Sequence, residues 1–527
     1  MVIIFLMFAA AAIGGCSPTT AGRDHDIIQS TPCWFKPPAD WPRAECAILT
    51  VPEDYADRQS RKIELPFIIF KAFEPRKNTL PLVIAGGGGP GYPLGIAAED
   101  MRDTENSVWT NWYHATVAAG RDLILVDNRG VGSATPRLDC IEIENAAMDL
   151  LERKLERDQL RGFIRQAYTR CKQRLLDQDI DLRHYHVINA AKDLEQLRVA
   201  LSLPQLNVYG GSYGSRLALV YEKLYPNSVR ALLLDGIFPQ SIKTYENEPR
   251  RNYEAIMRII DRCSRNERCQ RLYGANLETR LADYLEQLDA EALKIRAINP
   301  IDDQLVDVKV TPQMFFDALY MALYDGDLIN HIPRYLHAII GGNEDYLMEL
   351  ISEYYIAEAS VNSTDEGAYA SYACYDEIPF VDFDSARSEL AKYPLQHYSN
   401  ELVFDHIEIM CEVWDVPAAN EEFRQPYPID TPLLIYAGEL DPVTPVELAR
   451  PVIENARKWW GAVWPDVSHS VMSYSECSDI TAELFLADPE SDPFRHPCAS
   501  AAKSIIFETT DGADTSPHFS PGGVENW

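Results

Sequence analysis

Short apolar runs and helix-period stretches take turns along the first half of this chain. Residues 46–72 read as two opening strands, and residues 80–240 alternate strand and helix patterns. Leu82-Val83-Ile84-Ala85, Leu206-Asn207-Val208-Tyr209 and Ala231-Leu232-Leu233-Leu234-Asp235 stand out as strands. Such alternation predicts a mostly parallel sheet flanked by helices. Between about 241 and 425 the pattern changes to amphipathic helices, as at Tyr253 to Cys263 and Met314 to Tyr324, and the strand signal returns at Thr431 to Gly438. A mainly helical cap over residues 241–425 is therefore expected, inserted between the two parts of an α/β domain at 17–240 and 426–505. Tyr354, Tyr355, Tyr369, Tyr372 and Tyr375 crowd one part of that block. Core packing is the expected role for most, with a substrate-facing wall as the alternative. Residues 506–527 end in a Ser-, Pro- and Gly-rich run that reads as a loose tail. Internal repeats are absent from the pattern.

Chemistry enters at Gly210-Gly211-Ser212-Tyr213-Gly214-Ser215, directly after one of those strands and before the helix-patterned Arg216 to Leu224. A serine hydroxyl is a weak nucleophile and must be exposed at a sharp turn, where small neighbours allow a strained backbone. Glycines two before and two after Ser212 meet that need. The alternative is a chance Gly-x-Ser-x-Gly match in a loop, which the strand, turn and helix context disfavours.

Upstream, Leu82 to Ala85 runs into Gly86-Gly87-Gly88-Gly89-Pro90-Gly91, whose bare backbone can turn N–H groups toward an oxyanion. A phosphate cradle is the rival, but no Gly-Lys-Ser/Thr follows. The expected oxyanion donors are the N–H of Tyr213 and that of Gly89. Downstream, Glu439-Leu440-Asp441-Pro442 hangs from the end of the strand at Leu433 to Gly438, and His469 follows the strand-like Ala462-Val463-Trp464. Asp441 and His469 complete the chain order Ser, Asp, His, with Glu439 as the competing acid.

These residues resemble the prolyl iminopeptidase and tripeptidyl aminopeptidase family of α/β-hydrolases, in its longer secreted bacterial branch. The resemblance covers most of the chain. It rests on Gly-Gly-Ser-Tyr-Gly at Ser212, Gly-Gly-Pro-Gly at Gly88 to Gly91, Val126-Asp127-Asn128-Arg129-Gly130-Val131-Gly132-Ser133, Gly438 to Pro445, and the ending from Cys477 to Cys498. The family usually places His or Asn where Gly87 stands. The resemblance implies an α/β-hydrolase fold and an aminopeptidase that releases single residues or di- or tripeptides through an acyl-enzyme, with no metal or organic cofactor. Such an enzyme must bind a free α-ammonium, and Asp376 and Glu377 are the candidate carboxylates. The triad alone serves esters equally, so a secreted carboxylesterase or lipase is the alternative. A catalytically inactive binding module is a further one.

Charge and cysteines set the surroundings. With 80 acidic against 48 basic residues the formal charge is −32, and no basic cluster suggests a nucleic-acid partner. Val2 to Ile13 is apolar and of signal-peptide size, and Ile13-Gly14-Gly15-Cys16 resembles the lipoprotein cleavage box, although no Lys or Arg precedes the apolar run. Residues 1–16 are therefore expected to direct export, with a lipid on Cys16 attaching the protein to a membrane in the periplasm or cell envelope. Without Cys16 ten cysteines remain of eleven: Cys33, Cys46, Cys140, Cys171, Cys263, Cys269, Cys374, Cys411, Cys477 and Cys498. Their even number suggests disulfides in an exported chain, and their spacing suggests local pairs in sequence order, with connectivity open. No Cys-x-x-Cys or His-x-x-x-His spacing supports zinc.

Overall fold

A computed structural model describes residues 27–505, apart from 37–42, 78, 87, 99–100, 102–111, 113–115, 118, 154, 275, 300–302, 358–363, 394–399 and 474. Cys16, Gly87 and the 506–527 tail lie outside the described residues. Among the described residues, a ten-stranded sheet forms the centre of the fold. Its strands are β1 (Ile28–Thr31), β2 (Ala44–Pro52), β3 (Lys62–Phe70), β4 (Leu82–Ala85), β5 (Leu123–Val126), β6 (Leu206–Gly211), β7 (Val229–Asp235), then, past a separate hairpin of β8 (Leu293–Asn299) and β9 (Gln304–Val310), β10 (Leu433–Gly438), β11 (Trp459–Trp464) and β12 (Lys503–Ser504). The order across the sheet is β1-β2-β3-β5-β4-β6-β7-β10-β11-β12.

The six strands from β5 to β11 pair in parallel, while β1, β2, β3 and β12 pair antiparallel at the two sides. Burial on both faces explains the composition of the centre: Leu82 to Ala85 and Leu123 to Val126 are buried throughout, because helices cover each side of a parallel sheet. This is the mostly parallel sheet flanked by helices that the alternation of strand and helix patterns predicts. The two opening strands expected over 46–72 are β2 and β3.

The inserted block divides by packing. Residues from Ala255 to Ile356 form their own apolar cluster, joined by Leu151 and Leu440, whereas Ala368 to Phe423 belong to the cluster under the main sheet. The helices Glu248–Arg265 and Pro312–Ala322 carry the periodicity read from the sequence. The hairpin of β8 and β9 is a strand pair within this mainly helical block that the sequence pattern did not reveal. Its outward side pairs Lys294 with Lys309 and Arg296 with Asp307, so the apolar signal of Ala297, Val308 and Val310 is diluted on alternate positions.

Five disulfides close the chain: Cys33–Cys46, Cys140–Cys171, Cys263–Cys269, Cys374–Cys411 and Cys477–Cys498. All five are local pairs in sequence order. Among the described residues, no helix is long and apolar enough to cross a membrane.

Candidate active site

Ser212 sits between the end of β6 and the helix Tyr213–Leu224, with φ 50° and ψ −124°. A non-glycine residue at positive φ is strained, and the surroundings enforce it. A Cβ on Gly210 would lie 2.3 Å from the Gly214 carbonyl oxygen, and one on Gly214 would lie 2.6 Å from that of Ala85. Only glycines let the turn close this tightly, which is why they flank the serine. The Ser212 N–H donates to the Asp235 carbonyl at 2.8 Å, tying the turn to the end of β7.

His469 and Asp441 hang from loops at the ends of β11 and β10. His469 Nδ1 is 2.9 Å from Asp441 Oδ2. Asp441 is buried and accepts the N–H groups of Val443 and Thr444 on Oδ1 at 2.9 and 2.8 Å, and the Thr444 hydroxyl on Oδ2 at 2.7 Å. Burial opposes its charge, but the facing imidazole and these hydrogen bonds hold its carboxyl below the usual range. Burial likewise pulls the His469 pKa down, and the charge of Asp441 outweighs it to leave the imidazole above its ordinary value. Glu439 is engaged elsewhere: Lys503 donates to it at 2.8 Å and the Asp466 N–H at 3.2 Å.

Gly236 brings the serine and histidine loops together. It follows Asp235, the acceptor of the Ser212 N–H, and a Cβ on it would stand 3.2 Å from His469 Cε1. On the other side of the turn, Tyr213 opens its helix, where the first N–H groups have no intrahelical acceptor. A Cβ on Gly88 would meet nothing within 4 Å and one on Gly89 would stand 3.8 Å from Tyr92 Cβ, and the Tyr92 N–H donates to the Gly89 carbonyl at 3.1 Å. A serine, an imidazole oriented by a buried carboxylate, and backbone donors at a helix start are the parts that acyl transfer requires.

Asp376 and Glu377 do not behave alike. Both receive Arg216, at 3.3 and 3.1 Å, and Asp376 also accepts the Tyr213 hydroxyl at 2.7 Å. Burial pushes the Asp376 carboxyl up to about 6 against the pull of Arg216. Glu377 Oε1 is buried without a hydrogen-bond partner, and so is Oε2 of Glu248. The Glu248 carboxyl is pushed up to about 7 by burial, partly offset by Arg251 and reinforced by repulsion from Glu377. Its field also reaches Tyr245, Tyr320, Tyr324 and Tyr369. The Tyr324 ring packs edge-on to His469, 5.4 Å between centroids. Sequence reasoning missed Glu248, Thr444 and Asp235. The signal for Glu248 is its place directly before Pro249 at the start of the first helix after β7, on the near edge of the inserted block.

A cavity of about 670 Å³ is lined by Tyr369, Tyr355 and Met314 among others but by none of Ser212, Asp441 or His469, so it is not the site of these three residues. Among the described residues, Cys140, Glu142 and Cys171 have the spacing of a metal group, but both sulfurs are in a disulfide and offer no thiolate.

Residues 82–272 match the family described as alpha/beta hydrolase fold, and residues 398–498 match the one described as TAP-like protein. The chain has the α/β-hydrolase fold, and its C-terminal region is TAP-like. Serine protease Hip1 of Mycobacterium tuberculosis is 26% identical over 474 residues, covering 84% of this chain and 87% of that protein. Tripeptidyl aminopeptidase of Streptomyces coelicolor is 29% identical over 243 residues, 43% of this chain and 40% of that protein. Proline iminopeptidase of Arabidopsis thaliana is 31% identical over 116 residues, 22% and 20% of the two chains.

Proposed function

We propose that this protein is an exported serine aminopeptidase that releases N-terminal residues or short peptides. The observation that carries the reading is the His469–Asp441 hydrogen bond beside the strained turn of Ser212. In this reading His469 takes the proton from Ser212 as its Oγ attacks the carbonyl carbon. Asp441 fixes the imidazole tautomer and stabilises the imidazolium. The N–H groups of Tyr213 and Gly89 receive the oxyanion. Collapse of the tetrahedral intermediate expels the amine, which takes the proton from His469, and leaves an acyl-enzyme that water hydrolyses by the same path.

The peptide substrate class rests on the relatives and on the carboxylates. A peptide's α-ammonium needs an acceptor that is not already neutralised. Glu248 Oε2 supplies one, seconded by Oε1 of Glu377, whose other oxygen shares Arg216 with Asp376, while Asp376 is committed to both Tyr213 and Arg216. The lobe spanning Ala255 to Ile356 then acts as the cap over the bound peptide. Five disulfides suit an oxidising compartment, and a lipid on Cys16 would hold the protein at the envelope. Turnover of a tripeptidyl amide that vanishes in Ser212→Ala and whose KM rises about tenfold or more in Glu248→Gln is the expected result. Turnover of that amide by Ser212→Ala would overturn the reading.

A further inference from the structure

The helix Glu366–Asp376 touches both halves of the proposed oxyanion hole. At its start stands Asp365, in the position where a carboxylate ordinarily caps the helix. Its side chain makes no such bond. Instead Oδ2 accepts the Gly132 N–H at 2.7 Å and Oδ1 accepts Arg137 Nε at 2.6 Å. The Asp365 N–H donates to the Gly91 carbonyl at 2.8 Å, and a Cβ on Gly91 would lie 2.5 Å from the Asp365 carbonyl oxygen. This end of the helix therefore grips the last residue of the Gly88 to Gly91 loop.

The other end grips the nucleophile helix. Asp376 accepts the Tyr213 hydroxyl at 2.7 Å, and Arg216 bridges Asp376 and Glu377 from the next turn. Tyr213 is the residue whose backbone N–H would be the second oxyanion donor. Between its ends the helix is held along its length. Gly367 and Ala368 donate to the Leu138 carbonyl at 2.9 and 3.2 Å, Trp414 Nε1 donates to Ser371 Oγ at 2.8 Å, and the Tyr372 hydroxyl donates to the Arg129 carbonyl at 3.2 Å. The Cys374–Cys411 disulfide fastens its last turn to the helix Asn400–Trp414. Small residues at Gly367, Ala368, Ala370, Ser371 and Ala373 let it lie against its neighbours at close range.

We propose that this helix is a strut that sets the spacing of the two oxyanion donors, with Asp365 and Asp376 as positioning residues that act through Gly91 and Tyr213. The proposal rests on the acyl-transfer reading of Ser212. A helix is the right device for the task, because its hydrogen-bonded backbone fixes the distance between its ends at about 1.5 Å per residue. Oxyanion stabilisation depends on donors being preorganised, so a small displacement of one of them lowers the rate without weakening ground-state binding.

The test uses the full-length oxidised protein and a short p-nitrophenyl ester, whose hydrolysis needs no ammonium contact. Tyr213→Phe removes one hydroxyl and leaves the Arg216 ion pairs in place. It should lower kcat about tenfold or more with KM within about twofold. Asp376→Ala should lower kcat at least as far, Asp376→Asn should recover most of it by keeping an acceptor for the Tyr213 hydroxyl, and the Tyr213→Phe/Asp376→Ala double variant should be no slower than Asp376→Ala. If wild-type hydrolysis depends on Ser212 and Tyr213→Phe leaves kcat unchanged, or changes KM alone, the strut is overturned while the triad stands. If the ester is hydrolysed without Ser212, the triad reading fails and the strut falls with it.

Discussion

Asp235 binds Ser212 through its backbone carbonyl at 2.8 Å, and its carboxylate binds the loop that carries His469, accepting the N–H groups of Val471 and Met472 at 3.0 and 2.9 Å. One residue at the end of β7 thus ties the Ser212 turn to the His469 loop, the two partners of the proposed proton transfer. Burial pushes its carboxyl up to about 6 despite the two backbone donors.

Asp235→Asn keeps the backbone bond to Ser212 but replaces one acceptor oxygen by an NH₂ group that faces an N–H. The His469 loop should shift, lowering kcat by about tenfold or more. Steady-state kinetics alongside circular dichroism checks this, since unchanged kcat in a folded variant would remove Asp235 from the site.

The acid assignment separates two carboxylates two residues apart. Asp441→Asn should lower kcat by about four orders of magnitude, because an amide cannot hold the imidazole tautomer or stabilise the imidazolium. Glu439→Gln should stay within a few-fold of wild type, because that side chain is spent on Lys503 and the Asp466 N–H. Kinetics of the two variants decide between them, and the reverse ranking would make Glu439 the acid.

The pH–rate profile follows from the same pair. Asp441 raises the His469 pKa above its ordinary value, and only neutral imidazole accepts a proton. The acidic limb of kcat/KM should therefore fall above pH 6.5 rather than below it, with activity rising as pH increases through that limb. In Asp441→Asn the limb should move to lower pH.

Stability should move the other way. Burial lifts the carboxyls of Asp127, Asp235 and Asp376 to about 6 and those of Glu248, Glu366 and Asp479 to about 7. The folded state then binds more protons than the unfolded one between about pH 4 and 7, so stability falls as pH rises across that window. His186 and His406, whose pKa values burial lowers, oppose this below about 6.5. The net effect should be a higher Tm at pH 6 than at pH 7.5, helped by relief of a formal charge of −32. Thermal melts at the two pH values test it, and a lower Tm at pH 6 would contradict the burial of these groups.

Much of this was legible in the chain because the fold writes itself into local pattern. A parallel strand buried on both faces reads as an unbroken apolar run, and a nucleophile turn this tight demands glycines at Gly210 and Gly214. The strands at Leu82, Leu206, Ala231 and Leu433 and the turn at Ser212 follow from those signals, and the chain order of such a site singled out Asp441 and His469, which meet at 2.9 Å. The hairpin of β8 and β9 did not, because its charged outward face interrupts the apolar alternation. Nor did the different surroundings of neighbouring Asp376 and Glu377, since Arg216 and Tyr213 reach them only across about 160 residues of sequence. Glu248 and Asp235 are single acids among 80 acidic residues, and only tertiary packing distinguishes them.

The central claim is that Ser212-dependent cleavage starts from a free N-terminus. The direct measurement compares one peptide with a free and with an acetylated N-terminus, products being read by mass spectrometry. Acetylation removes the ammonium and leaves the Glu248 and Glu377 oxygens unpaired, a cost of roughly 2 to 5 kcal/mol. The free peptide should be cleaved at least about tenfold faster, the ratio that about 1.4 kcal/mol represents, with short N-terminal fragments as products and no cleavage by Ser212→Ala. Equal rates on the two peptides would contradict the aminopeptidase account and leave an esterase on the same fold.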